Sequence, residues 1–279
     1  MENITSDKIK ELKIKARDIR ISIVSMLVEA GSGHTAGALG MTDIFTFLYF
    51  HALKYNPIDP LWAERDRLVL SNGHICPVLY ATMAHAGYFP IEELMSLRKL
   101  RSRLQGHPHR EFMPFLETSS GPLGEGLSQA VGMAIADRID GGNKKIYCLV
   151  GDGELDEGQN WEALMIAGKE KLPNLIIIVD RNKIQIDGNT EEVMPLFNLK
   201  NKIESFNLIV EEIDGNNFED INRAIIKVHN NKEKTFVVIA NTIPGKGVRE
   251  WERDYKWHGK APNKKEGDMA IEELNNIQI

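Results

Sequence analysis

The run Leu175 to Asp180 (Leu-Ile-Ile-Ile-Val-Asp) narrows the fold more than any other feature. It is short, unbroken and apolar, with no polar alternation, so it predicts a strand covered on both faces, as in a parallel sheet sandwiched by helices. Lys145 to Val150 reads as a second such strand that breaks at Gly151-Asp152-Gly153. Between the two, Gly158 to Lys171 places Trp161, Leu164 and Ala167 on one side of a helix. Thr235 to Asn241 is a third buried strand and Arg67 to Ser71 a shorter one. Helices are expected from Ile9 to Ala30 (stopped at Gly31-Ser32-Gly33), from a Thr42 cap through Leu48 and Tyr49, and from beyond His74 toward Ala86. Further helices are expected at Ile91 to Leu100, Leu127 to Ile139, and Phe218 to His229 behind an Asn217 cap. This alternation predicts an α/β fold with a doubly wound, mostly parallel sheet flanked by helices, which binds ligands at the C-terminal ends of its strands.

The polar motifs fall at those ends. In Gly151-Asp152-Gly153-Glu154 an acid follows a buried strand where the next helix offers free N–H groups to an anion. A carboxylate opposes a phosphate there unless a cation lies between them, and Mg²⁺ joins carboxylates to phosphate oxygens in this way. Asn182, one strand-helix-strand unit later, brings a neutral amide oxygen to the neighbouring sheet edge. The competing reading of a bare Gly-Asp-Gly is a tight turn with a solvated acid. The register of strand, helix, strand and terminal Asn favours the metal site.

Four of the eight histidines adjoin glycine: His34, His74, His107 and His258. Imidazole suits proton exchange with sugar hydroxyls near neutral pH. His51, His85, His109 and His229 lack that neighbour and read as helix or loop-surface residues, and no pair has zinc-ligand spacing. Residues 101–126 are rich in Gly, Pro, His and Ser and too long for an ordinary connection, so they form a candidate functional loop. Its Gly121-Pro122-Leu123-Gly124-Glu125-Gly126 segment lacks Gly-x-Gly-x-x-Gly order and follows no strand, which disfavours a nicotinamide site.

The stretch from Gly151 to Gly188 resembles the thiamine diphosphate motif, and Gly-Asp-Gly-Glu-Leu-Asp-Glu-Gly-Gln-Asn-Trp-Glu-Ala is most similar to the N-terminal half of bacterial split transketolases. The resemblance runs from about Lys15 to Pro262. It implies the thiamine diphosphate-binding fold, with thiamine diphosphate and Mg²⁺ (or another divalent cation such as Ca²⁺ or Mn²⁺) as cofactors. Asp152, Asn182 and the Ile184 carbonyl would hold the cation, and Gly151, Gly153 and Glu154 would lie with them at the diphosphate. Gly121 and Leu123 would contact the aminopyrimidine through their backbone. His74, and partly His258, would face the diphosphate, while His34, His107 and His258 would be catalytic toward the sugars. Glu157 matches an acidic position at the transketolase dimer interface and equally fits a first-turn glutamate favoured by the helix dipole. Lys246, in Asn-Thr-Ile-Pro-Gly-Lys-Gly, lies in another similar segment.

Residues 1–262 are expected to form the cofactor domain and 263–279 a C-terminal tail. The family's pyrimidine-binding domain and its activating glutamate are expected on a partner chain, a C-terminal transketolase subunit, in a dimer of heterodimers acting on sugar phosphates. The expected reaction moves a two-carbon ketol unit from a ketose phosphate to an aldose. A deoxyxylulose-phosphate synthase or 2-oxo-acid dehydrogenase subunit shares the metal motif, and a non-catalytic cofactor-binding partner is the alternative from another class. Composition agrees with a globular chain: 42% of the 279 residues are hydrophobic and 27% charged. No apolar run approaches the roughly 20 residues that span a bilayer, and the charged start predicts no signal peptide, so no membrane association is expected. Net charge of −6 argues against a nucleic-acid partner. Cys76 and Cys148, each in an apolar stretch, are expected as buried thiols suited to the cytoplasm.

Overall fold

The structure, a computed structural model, describes residues 3–278. Its strands are β1 (Arg67–Leu70), β2 (Ile146–Gly151), β3 (Leu175–Arg181), β4 (Ile184–Gln185), β5 (Gly188–Asn189), β6 (Ile209–Asp214) and β7 (Phe236–Asn241). The helices are α1 (Ser6–Ala30), α2 (Ala36–Gly40), α3 (Thr42–Phe47), α4 (Cys76–His85), α5 (Glu125–Ile139), α6 (Gly158–Glu170), α7 (Thr190–Val193), α8 (Leu199–Glu204), α9 (Phe218–Asn230) and α10 (Lys264–Asn275). Five strands form one sheet in the order β1-β2-β3-β7-β6, with every neighbouring pair parallel. The small antiparallel hairpin β4–β5 stands beyond the end of β3.

Alternate residues of the central strands feed two cores, as strand geometry requires. Tyr147, Leu149, Ile176, Ile178 and Val238 pack with α1, α4 and α9 on one face. Cys148, Val150, Ile177, Val179 and Val237 pack with α5, α6 and α8 on the other. Both cysteines are free and buried. Because β2 and β3 run in register, Gly151 lies beside Asp180, and the turns carrying Asp152 and Asn182 leave the same edge side by side. Among the described residues no helix is long and apolar enough to cross a membrane.

Several expected elements differ. Thr42 lies within a helical turn that continues from α2, so its hydroxyl donates back to the Ala38 carbonyl (2.9 Å) and Met41 takes the cap position. Ile91–Ser96 is a 3-10 turn that stops before Leu100, because Leu97 is extended, Arg98 has φ 60°, and Arg98 N–H turns to the Leu104 carbonyl (2.9 Å). The stretch after Pro262, expected as a tail, contains α10. Asn263 and Glu266 form a reciprocal capping box, and buried Gly267, Ala270 and Leu274 lay the helix against α1. Edge strand β6 has no counterpart among the expected strands, since Glu211, Glu212 and Asp214 interrupt its apolar pattern.

Candidate cofactor and active site

One cavity of about 330 Å³ opens at the C-terminal ends of β1, β2 and β3. It is lined by all twelve residues singled out above, His34, His74, His107, His258, Gly121, Leu123, Gly151, Asp152, Gly153, Glu154, Asn182 and Ile184, and also by Asn72, Asp180 and Gln185. That size lies at the lower end of the range for small-molecule sites.

At the acid end Asp152 is 1% exposed. Its Oδ1 accepts from Gly153 N–H (2.8 Å), and its Oδ2 accepts from Lys183 N–H (2.7 Å) and Arg181 Nη1 (3.0 Å). A carboxylate offers about four acceptor sites, so one direction on Oδ1 is left for a cation. Burial pushes the Asp152 carboxyl up to about 6, against the opposing pull of Arg181 and the backbone donors. Asp180, fully enclosed, is pushed up to about 7 by burial; hydrogen bonds from Thr242 (2.5 Å) and Asn182 Nδ2 (2.8 Å) pull the other way. Asn182 Oδ1 accepts from Ile184 N–H (3.0 Å), which fixes the amide and leaves its second lone pair.

Glu154, expected beside the diphosphate, lines the cavity and also holds the fold together there. It lies 2% exposed at the cavity floor with both oxygens engaged. Oε1 accepts from Ser71 Oγ (2.5 Å) and Gly124 N–H (2.7 Å), and Oε2 from Gly151 N–H (2.9 Å). Ser71 in turn accepts from Gly126 N–H (3.1 Å). The carboxylate thus ties the end of β1, the Gly121–Gly126 loop and the Gly-Asp-Gly turn into one unit. Gly126 is required here, because a Cβ would fall 2.6 Å from the Ser71 Cβ.

Elsewhere on the cavity wall three imidazoles from separate chain regions form a cluster. Ring centroids lie 4.9 Å apart for His34 and His74, 5.1 Å for His74 and His258, and 5.7 Å for His34 and His258. His107 borders the same cavity beside Gly121. Burial lowers all four: His34 to about 4, helped by its charged neighbours, His74 well below its ordinary range, and His107 and His258 in the same direction. They are therefore neutral imidazoles at pH 7, each able to donate from one nitrogen and accept at the other. The remaining histidines lie elsewhere: His85 bonds Ser22 and His229 bonds Tyr147. Glu157 is exposed at the start of α6.

The cavity fits a polar cofactor. Nδ1 of His34 and of His258, Oδ1 of Asn72 and Oε1 of Gln185 belong to its lining and are buried without a protein partner, a cost that a ligand removes by supplying one. A Cβ at Gly151 would meet nothing closer than 3.7 Å, so the protein itself does not demand glycine there, and the space belongs to the cavity. Among the described residues no group of three His, Cys, Asp or Glu side chains could hold a metal by itself; the donor set here is one carboxylate, one amide and a carbonyl, the kind that leaves Mg²⁺ open to phosphate oxygens. Sequence reading missed Asp180, Asn72, Gln185 and Arg181. The signal for Arg181 was available, since an arginine ending a wholly buried strand needs an acid partner.

A parallel α/β sheet whose strand ends combine a glycine-flanked acid, an amide and facing imidazoles defines a diphosphate-cofactor domain. The chain belongs to the transketolase family: residues 11–274 match its thiamine diphosphate binding domain. It is 40% identical over 264 residues to the 6-deoxy-6-sulfo-D-fructose transketolase subunit SqwG of Clostridium sp. (strain MSTE9), covering 95% of this chain and 96% of that one. It is 41% identical over 267 residues to one of the subunits of the apulose-4-phosphate transketolase of Actinobacillus succinogenes, with the same shares covered. The crystal structure of transketolase from Campylobacter jejuni superposes with a TM-score of 0.89 at 35% identity, over 99% of this chain but only 44% of that one. The chain thus spans nearly the whole of the two subunits and less than half of a full-length transketolase.

Proposed function

We propose that this chain is the diphosphate-binding subunit of a two-subunit transketolase, incomplete without a C-terminal partner that supplies the pyrimidine-binding domain and an activating glutamate. The observation that carries the reading is the meeting of His34, His74, His107 and His258 in one cavity with Asp152 and Asn182. Asp152 through Oδ1, Asn182 through its amide oxygen and Ile184 through its carbonyl would hold Mg²⁺, and His74 would face the diphosphate. Backbone groups of Gly121 and Leu123 would hold the aminopyrimidine. Thiamine diphosphate, when bound, supplies the nucleophilic carbon and electron sink for breaking and making the carbon–carbon bond.

The chain's own part is binding and proton handling. Neutral His34, His107 and His258 hydrogen-bond the sugar carbonyl and hydroxyls, and each takes or returns a proton without first shedding one to solvent. The two relatives described above, each covered to 96% of its length, carry an anionic sugar in their names, one sulfonated and one phosphorylated, which supports an anionic ketose donor and an aldose acceptor here. The naming of two such relatives as subunits supports a separate partner chain, and the arrangement proposed is a dimer of heterodimers with Glu157 near the interface. Two buried, unpaired thiols support a cytoplasmic setting. The test is to combine the chain with its partner subunit, thiamine diphosphate and Mg²⁺ and to assay a panel of ketose phosphates and aldoses for two-carbon transfer. Transfer is expected; inactivity across the panel, or activity with pyruvate in place of a ketose, overturns the reading.

A further inference from the structure

Arg181 is the last residue of β3, 8% exposed, and its guanidinium lies against the acid assigned to the cation. Nη1 donates to Asp152 Oδ2 and to Thr190 Oγ1, both at 3.0 Å, and Nη2 pairs with Glu191 Oε1. Thr190 and Glu191 come from α7, which follows the β4–β5 hairpin, so the chain folds back over the strand end to enclose this side chain. A cationic group in contact with a divalent-cation ligand opposes metal binding by simple electrostatics. Its placement here therefore needs a compensating reason.

The geometry contains one. Oδ2 of Asp152 is filled by Arg181 Nη1 and Lys183 N–H, which fixes the carboxylate and leaves its open acceptor on Oδ1, in the cavity that Asn182 and Ile184 also line. Glu191 sits on the far side of the guanidinium and offsets its charge. We propose that Arg181 is a positioning residue of the cation site: it orients Asp152 as a ligand and keeps that buried acid paired, while Glu191 prevents the guanidinium from repelling the metal. The inference rests on the Asp152–Asn182 cation site proposed above. It adds to that site an Asp152–Arg181–Glu191 relay, in which the surface-proximal acid tunes a metal it does not touch. Partners of ligands in this position change metal affinity by about 10- to 100-fold when removed.

The test is calorimetric titration of Mg²⁺ into the full chain and its partner, with thiamine diphosphate saturating. Arg181→Met should raise the Mg²⁺ Kd about 10-fold or more, and Arg181→Lys by less, since lysine retains one donor to Asp152. Glu191→Gln, on a half-exposed side chain, should raise it about 3-fold while leaving the thermal melt in chelator unchanged. Unchanged or tighter Mg²⁺ binding by a folded Arg181→Met protein would overturn the proposal and make the guanidinium a mere counter-ion. If Arg181→Met does not fold, Glu191→Gln decides: it keeps the Arg181–Asp152 contact, so Mg²⁺ binding equal to that of the parent refutes the relay. Failure of the parent protein itself to bind Mg²⁺ would instead sink the cation site on which the relay depends.

Discussion

At one end of the cavity Asp152 has three donors around it, the buried Arg181 among them, and Asp180 has both oxygens bonded. At the other, His34 and His258 each keep a buried Nδ1 with no protein partner. The two acids are held by protein donors, while the amide oxygens of Asn72 and Gln185 beside the Gly-Asp-Gly turn are left without a protein partner. The histidine wall is unfinished until something polar enters. A resident cofactor suits the first arrangement and a substrate that comes and goes suits the second, because unmade hydrogen bonds favour the ligand that makes them.

The largest effect is expected at the acid end. Asp152→Asn keeps the shape but removes the charge that offsets both the cation and Arg181. Mg²⁺-dependent binding of thiamine diphosphate should fall about 100-fold or more in calorimetry, with Mg²⁺-independent association unaffected. Equal binding would mean that Asp152 does not hold the cation. Next comes the wall. His258→Ala should cost about 10²- to 10⁴-fold in kcat/KM for ketol transfer while changing cofactor Kd by only a few fold, the reverse of the Asp152 pattern. If both variants lose cofactor affinity alike, the wall is a cofactor site and the division fails.

The two ends were not equally legible in the sequence. The acid end could be read because β2 and β3 are wholly buried, each an apolar run that ends in polar residues, so parallel pairing alone brings Asp152 and Asn182 together. The histidines shared only a glycine neighbour, and their convergence depends on four loops whose paths no local pattern encodes. Arg181 was overlooked because its partner Glu191 returns through the β4–β5 hairpin, a fold-back of ten residues. Glu154 is placed at the diphosphate by the resemblance of its motif, which says nothing of its partners within the chain. Its real donors, Ser71, Gly124 and Gly151, are supplied by three segments that meet only in the folded chain. Strand β6 escaped notice for a related reason: an edge strand needs burial on fewer sides, so its glutamates are tolerated.

Glu154 links the two ends, and a smaller effect tests that link. Glu154→Gln retains one acceptor oxygen, which serves two donors at most and so cannot serve three, and the Gly121–Gly126 loop should loosen relative to the Gly-Asp-Gly turn. Thiamine diphosphate, which would touch both, should bind about 10-fold more weakly, whereas inorganic pyrophosphate with Mg²⁺, which would touch only the turn, should lose about 2-fold or less. Equal losses for the two ligands would show that Glu154 supports the turn alone.

The mildest prediction sets the two ends against each other in one titration. His34 is lowered to about 4 in the fold and titrates near 6.5 when unfolded. Between those values the unfolded chain binds a proton that the folded chain refuses, so this contribution to stability is whole above pH 6.5 and is lost as pH falls toward 4. Asp180 works in the opposite sense. Raised to about 7 from an ordinary 3.8, it takes a proton in the folded chain first, so the cost of burying its charge is fully present above pH 7 and is relieved as pH falls toward 4. One proton corresponds to at most about 1.4 kcal/mol per pH unit, and opposed contributions largely cancel in the parent protein. In chelator, therefore, His34→Asn should make the chain relatively more stable toward pH 5, and Asp180→Asn relatively less stable there than at pH 8. Thermal melts across that range measure both slopes. Slopes of the same sign would show that the acid end and the histidine wall are not charged as the geometry indicates.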